Sequence, residues 1–394
     1  MAEAVERQIP QWSEFVDLLK PAGELINETF FPASGQLRAE LYRQLTMNLS
    51  LGYFLYFQTD LDHPDWTPFL NSVFMLQPNP DDTYFNAHVS AAGVYRIVGE
   101  RGTVKLLTFS LGQSVMGTSD SPGKSLAYVD IDDLAIGPDG RFEVMLSAER
   151  PPGHSGNWVH LPAGTDYILF RQRSYDWGAE RDARLAIERL DTSGGMTRPT
   201  AAQIERDLRA LMGGFAARLS RRWISYQNTL FQRGLVNTLE MTDFGGAVPV
   251  QWYWQGVYQF AADECLILET ELPERRKYWN VQLNDELFNA VEFVHRQSSL
   301  NGHQARIDPD GKFRAVISLQ DPGVHNWLDS GGTLQGVLIG RWYDCDTRPL
   351  PTLTRVPLRR MWDHLPAGAI GITPAERAAA MSVRRIGAQL RRRW

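Results

Sequence analysis

The chain has 394 residues, 43% hydrophobic and 22% charged, with no low-complexity bias, the make-up of a globular protein of two or three domains. Forty basic against 46 acidic residues leave a net charge of −6, which argues against a general nucleic-acid binder because phosphate contacts need clustered positive charge. No apolar run reaches the roughly 18 residues of a membrane span, and residues 1–20 show no basic segment followed by an apolar stretch, so neither a membrane partner nor a secretory signal is expected.

Two cysteines, Cys265 and Cys345, are too few for a disulfide framework or a four-cysteine metal site, and a reduced, cytoplasmic home is the default. Only five of the 40 basic residues are Lys, which leaves few candidates for a Schiff-base amine. Twelve Trp is a high number for this length, and it suits either a Trp-rich core or a pocket for rings or sugars.

Residues 1–80 read as a helical region: Leu37, Leu41, Leu45 and Leu49 recur at helical spacing. The prolines of His63-Pro64 and Thr67-Pro68 end that pattern. Over 81–190 the pattern turns to β and predicts a first β-sandwich. Its runs are Val94–Val98, Val104–Phe109, Phe142–Leu146 and Tyr167–Gln172, with Gly99–Gly102 as a hairpin turn between the first two. Residues 191–240 are a helical linker, opened by a capping box of Thr200 and Gln203 and weakened in the middle by Gly213-Gly214. Strands resume over 241–350 as a second sandwich, where alternation puts Trp252 and Trp254 on one face and Tyr253 on the other. The tail, 351–394, carries a last helix opened by Thr373-Pro-Ala-Glu376 and ending in Arg391–Trp394. Its basic end reads as a complement to the helix dipole or as a solubility device.

One repeat organises the whole chain. Asp139–Ser147, Pro151–Gly153, Asn157-Trp158 and Phe170–Asp176 are echoed by Asp310–Ser318, Asp321–Gly323, Asn326-Trp327 and Ile339–Asp344. The fold class that follows is mainly β with helical segments: two related β-sandwich or jelly-roll domains plus N-terminal, linking and C-terminal helices. The repeated Asn-Trp reads as a structural corner.

Pro78–Tyr84, Gly93–Ile97 and Arg296–Gln304, with Asp321–Gly323 and Asn326–Asp329, resemble an uncharacterised bacterial family. That family is known as domain of unknown function 1214, and its members often carry a companion domain numbered 1254. The resemblance implies a mostly β protein with sandwich domains. It brings no established reaction and no agreed catalytic residues.

Two polar clusters could carry chemistry. In the first, Asp81, Asp82, Tyr84 and His88 lie on or beside an extended segment whose period-two spacing puts Asp82, Tyr84, Asn86 and His88 on one face. Adjacent carboxylates near a phenol and an imidazole suit acid–base work, oxygen ligation of a divalent cation, or simply an Asx turn. In the second, His295, Arg296, Asn301, His303 and Arg306 crowd one loop. His303 is the candidate acid or base, and Arg296 or Arg306 could grip a carboxylate or phosphate; a plain hairpin turn is the alternative. His154, His160 and His325 lack any tight metal-ligand spacing, and neither a nucleophile elbow nor a phosphate loop occurs, so no metal and no nucleotide cofactor is expected.

The expected function is a cofactor-independent acid–base enzyme, a lyase, isomerase or hydrolase, acting on a small apolar or aromatic oxygenated molecule. Asp82 and His303 exchange the proton, Tyr84 and Arg296 position the substrate, and Trp252 or Trp254 line the pocket. Two alternatives stand beside it: a non-catalytic sandwich module binding a carbohydrate or hydrophobic ligand, and an oligomeric assembly protein. The junction of the two sandwiches is the expected place for a site, since pockets favour domain interfaces.

Overall fold

The computed structural model of the chain describes residues 9–70, 78–120, 123–244 and 248–391. Among these, 18 strands form four sheets, packed in pairs, with five α-helices around them. In the first sandwich, β1 (Thr67–Phe69), β2 (Asp82–His88), β4 (Leu106–Gln113), β5 (Lys124–Asp130) and β8 (Tyr167–Arg173) make a sheet ordered β1-β2-β8-β4-β5. Its partner sheet runs β7-β6-β3-β9, from β3 (Tyr95–Glu100), β6 (Arg141–Ser147), β7 (Trp158–His160) and β9 (Arg184–Arg189).

The second sandwich repeats this plan. β10 (Glu240–Thr242), β11 (Gln251–Gln259), β13 (Arg276–Asn284), β14 (Ser299–Asn301) and β17 (Gln335–Cys345) form the sheet β10-β11-β17-β13-β14. Facing it, β12 (Glu264–Thr270), β15 (Phe313–Ser318), β16 (Trp327–Asp329) and β18 (Thr352–Pro357) form β16-β15-β12-β18. Every strand finds its counterpart nine strands later, in the same sheet position. The parallel pair β6–β7 recurs as β15–β16 within otherwise antiparallel sheets.

Each sandwich buries its own apolar core. Phe109, Phe170, Ile97, Val144 and Tyr95 fill the first; Trp254, Trp279, Trp342, Leu268 and Phe313 fill the second. The abundance of Trp thus goes largely into packing. The segment Gly99–Gly102 is not the expected hairpin: β3 and β4 lie in different sheets, and Gly102 (φ +63°) turns the chain across the sandwich. Both flanking runs are apolar enough to be core strands, and the core is covered from both sides, so each went to a different sheet.

The Asn-Trp corners are duplicated to the atom. Asn157 Nδ2 donates to the carbonyls of Ala135 and Glu143, while its Oδ1 accepts from Ala135 N–H. Asn326 does the same with Arg306 and Arg314. Each side chain serves three backbone groups that would otherwise lose their partners. Asn157→Ala and Asn326→Ala should each cost about 1–3 kcal/mol of stability, read from urea unfolding, with any ligand affinity unchanged. An unshifted midpoint would contradict this.

Helix α1 (Trp12–Asp17) precedes α2 (Gly35–Tyr56), which Ser34 caps by accepting from Leu37 N–H at 3.0 Å. The linker forms α3 (Ala201–Ala210) and α4 (Ala216–Gln232), separated by a π-helical turn, Leu211–Phe215, at the expected glycine pair. The predicted capping boxes at Thr200/Gln203 and Thr373/Glu376 are present, the second opening α5 (Pro374–Leu390). Among the described residues no helix is long and apolar enough to cross a membrane.

Two of these helices tie the sandwiches together. Leu37 and Leu41 of α2 and Ile224 and Leu230 of α4 pack on Val257, Val337 and Ile339 of the second large sheet. Farther along, Leu51 and Leu55 of α2 and Leu219 of α4 pack on Phe69 and Leu169 of the first. A helix of 22 residues is about 33 Å long, enough to reach both.

Candidate functional site

Strand alternation gives each five-stranded sheet one core face and one outer face. In the first sandwich the outer face carries Asp82, Tyr84, Asn86 and His88 on β2, and Arg173, Arg171, Leu169 and Tyr167 opposite them on β8. In the second it carries Gln251, Tyr253 and Gln255 on β11, Tyr343, Arg341 and Ile339 on β17, and Tyr278, Asn280 and Gln282 on β13. These two faces meet through a buried polar layer.

Asp81, just before β2, is the hub. Its Oδ1 accepts from Trp177 Nε1 (2.8 Å) and Asn301 Nδ2 (2.7 Å), and its Oδ2 from Tyr278 O–H (2.6 Å) and Asn280 Nδ2 (3.3 Å). Burial pushes its carboxyl above the usual range, against the pull of Tyr278, Asn301, Arg391 and Trp177. One carboxylate from the first sandwich therefore holds two strands of the second. The helical tail closes the same place: Arg391 donates to the carbonyls of Pro80 and Asp81 and lies over the Trp177 ring, while Arg384 donates to Phe293 O and Ser299 Oγ. Arg391 is thus a buried clamp, not a solvated helix end; residues 392–394 lie outside the described residues.

Asp82 is held by Arg173, whose Nε and Nη2 reach the two carboxylate oxygens at 2.6 and 2.8 Å, with both side chains almost fully sealed. Arg173 also donates to Gln251 Oε1 at 2.8 Å and lies 4.3 Å over the Tyr278 ring. Gln251 sits where Asp82 would in the duplicated sheet, so one guanidinium bonds both equivalent positions.

The centre of the layer holds a pair the sequence reading passed over. Arg171 faces Tyr84 across β8–β2, and Arg341 faces Tyr253 across β17–β11. Arg171 donates to Ser110 Oγ (2.8 Å); Arg341 donates to Gln282 Oε1 (2.7 Å) and Asn280 Oδ1 (3.2 Å) and lies over the Tyr253 ring. Burial drives the Tyr84 phenol upward, reinforced by Asp82 and opposed by both Arg341 and Arg171. Tyr84 and Arg171 stay part-exposed, as does Tyr253, while Asp82, Gln251 and Arg341 are sealed. One step along the same face, buried Asn86 leaves both side-chain polar atoms unpartnered, as Gln255 leaves its Oε1. Arg171 and Arg341 fall inside the sequence repeat, and that was the available signal.

The remaining predicted residues are dispersed. Asn301 joins the layer through Asp81, so the two sequence clusters do meet there. His303, two residues on, is exposed and faces Asp176 at 3.6 Å, while Asp82 faces Arg173; no contact links the two expected proton carriers. Arg296 is paired with Asp329 and lines a separate cavity of about 390 Å³ with Glu40, Asp285 and Glu292. Arg306 is exposed at the Asn326 corner. Trp254 is locked in the core, and Trp252 shares its face beneath Arg348, so the ring of this strand that reaches the polar layer is Tyr253. Among the described residues no group of three His, Cys, Asp or Glu is arranged to hold a metal.

His88 ends the same face of β2 in a cleft of about 580 Å³ with Tyr56, Asp166 and Thr118. Burial lowers its imidazole to about 4, so it is neutral in the folded protein at neutral pH. A depressed histidine contributes stability that is present above the unfolded value of ~6.5 and is lost as the pH falls toward the folded value. The stability difference between the natural protein and His88→Gln should therefore shrink by about 1–3 kcal/mol between pH 7 and pH 4. A pH-independent difference in urea midpoints would refute that assignment.

Residues 114–176 and 264–347, one segment in each sandwich, match the family described as "Protein of unknown function (DUF1214)", and the resemblance read from the sequence is borne out. No curated protein matches the chain. Among solved structures, the chain is similar to an uncharacterised protein from Burkholderia cenocepacia: 29% identity and a TM-score of 0.79, over 88% of this chain and 97% of that one. A protein from Vibrio parahaemolyticus is aligned at 13% identity and a TM-score of 0.44, over 86% of this chain and 100% of that one.

Proposed function

We propose that the protein binds a small oxygen-bearing organic molecule in the polar layer between its two sandwiches. The observation that carries this is the pairing of Tyr84–Arg171 with Tyr253–Arg341 beside buried, unpartnered amide atoms of Asn86 and Gln255. Buried polar atoms normally find partners, and a face that serves only as glue would satisfy them internally. The neighbouring Asp81 and Asp82 networks do satisfy themselves, and their task is to hold the two sheets in place around the site. The part-exposed rings of Tyr84 and Tyr253 suit a ligand with an apolar or aromatic body. The two free cysteines support a reducing, cytoplasmic home.

Acid–base turnover at this site is the second reading, favoured by the part-exposed Tyr84 between two guanidiniums. Asp82 serves it poorly, because Arg173 occupies both its oxygens.

The test is native mass spectrometry of freshly purified protein, followed by a thermal-shift screen of small oxygenated aromatics. A ligand found this way should lose roughly tenfold or more in affinity in Tyr84→Ala and Tyr253→Ala, about 1.4 kcal/mol each. Equal affinity in both folded variants would place binding elsewhere.

A further inference from the structure

Arg171 and Arg341 occupy the same place in the duplicated fold. Each lies on the central strand of its large sheet, beside a tyrosine on one neighbouring strand and a short polar side chain, Thr108 or Asn280, on the other. Tyr84 lies opposite Arg171, and its hydroxyl accepts from Asn79 N–H (3.1 Å). Asn79 Oδ1 accepts from Asn280 (2.8 Å), whose Oδ1 accepts from Arg341 (3.2 Å), so the two guanidiniums belong to one neighbourhood although they come from different sandwiches.

The charges of this neighbourhood do not cancel. Asp82 is matched by Arg173 in a two-point ion pair, and Asp81 has Arg391 beside it. Arg171 and Arg341 have only neutral acceptors: a serine hydroxyl for one, two side-chain amides for the other. Among the described residues neither forms an ion pair, and of the undescribed segments only 1–8 contains acidic residues. Arg314, by contrast, is matched to three carboxylates, Glu269, Asp308 and Asp310, while the buried Arg384 and Arg391 of the helical tail bond backbone carbonyls and neutral side chains. A sealed cation without a counter-charge is costly, and guanidinium geometry favours carboxylate or phosphate oxygens.

We propose that the molecule bound between the sandwiches is a small organic dianion, with one negative charge at Arg171 and the other at Arg341. This rests on the binding site proposed above and specifies the charge its ligand carries. Tyr84 and Tyr253, each directly beside one of these arginines, flank the ligand and offer their rings to its body and their hydroxyls to its oxygens. The internal duplication explains why two charges are read: each copy contributes one guanidinium–phenol pair.

Calorimetric titration of the full chain with phthalate, succinate, benzoate and phenol tests this. Phthalate or succinate is expected to bind at least tenfold more tightly than benzoate, and phenol more weakly still. Arg171→Met and Arg341→Met should each reduce dianion affinity tenfold or more, Arg171→Lys and Arg341→Lys should recover part of it, and Arg296→Met should leave it unchanged. If benzoate or phenol binds as well as phthalate, loses affinity in Tyr84→Ala and ignores both methionine variants, the charge inference falls while the binding site stands. If none of the four binds the natural protein, the inference and the site reading fail together.

Discussion

Arg173→Met is expected to lower the unfolding free energy by about 3–5 kcal/mol, because it strands the Asp82 carboxylate in a sealed position. The loss should exceed that of any exposed ion pair in the chain, such as Arg360–Asp363, since exposed pairs contribute about 0–1 kcal/mol. Arg173 also bonds Gln251 and stacks on Tyr278, both in the second sandwich, so its removal loosens the junction as well as the first sheet. Urea unfolding at neutral pH measures this directly. The double variant Asp82→Asn/Arg173→Met should recover part of the loss, since neither partner is then left as a lone buried charge. A single variant with an unchanged midpoint would show that the ion pair contributes nothing to the fold.

Asp81→Ala should be the next most damaging change, at about 2–4 kcal/mol. Trp177 Nε1 loses its acceptor outright. Asn301, Asn280 and Tyr278 keep second partners in Tyr175 O and Asn79 Oδ1, which holds the loss below the sum of four broken bonds. Because Tyr278, Asn280 and Asn301 belong to the second sandwich, the unfolding transition should also broaden or split as the two sandwiches uncouple. A sharp transition at the natural midpoint would mean that the helices and the Arg173 contacts hold the sandwiches together without Asp81.

Much of the architecture was legible in the order of residues. The repeat from Asp139 and again from Asp310 announced the duplication, and the Asn-Trp corners proved structural because the same side-chain amide closes the same three backbone bonds twice. Helix starts at Thr200 and Thr373 were readable because capping is a local interaction over three residues. The parity that separates Trp254 from Tyr253 was readable for the same reason, since alternation is a property of one strand.

The site was readable only in part. Asp81, Asp82, Tyr84 and Asn301 stood out as polar residues in dense clusters, and the fold brings Asp81 and Asn301 into contact across 220 positions of sequence. Which carboxylate is locked by an arginine, and which arginine is left without one, depends on strands that pair far along the chain: Asp82 with Arg173, Tyr253 with Arg341. Sequence spacing carries the period of each strand but not the order of strands in a sheet, nor which faces of two sheets meet. The amino-acid order by itself therefore determined two sandwiches, their helices and the face on which each strand residue lies. Tertiary packing decided the partners: it turned Asp82 into an ion pair, Arg391 into a clamp and His303 into a surface residue, because long-range burial, not local propensity, chooses where each charge finds its complement.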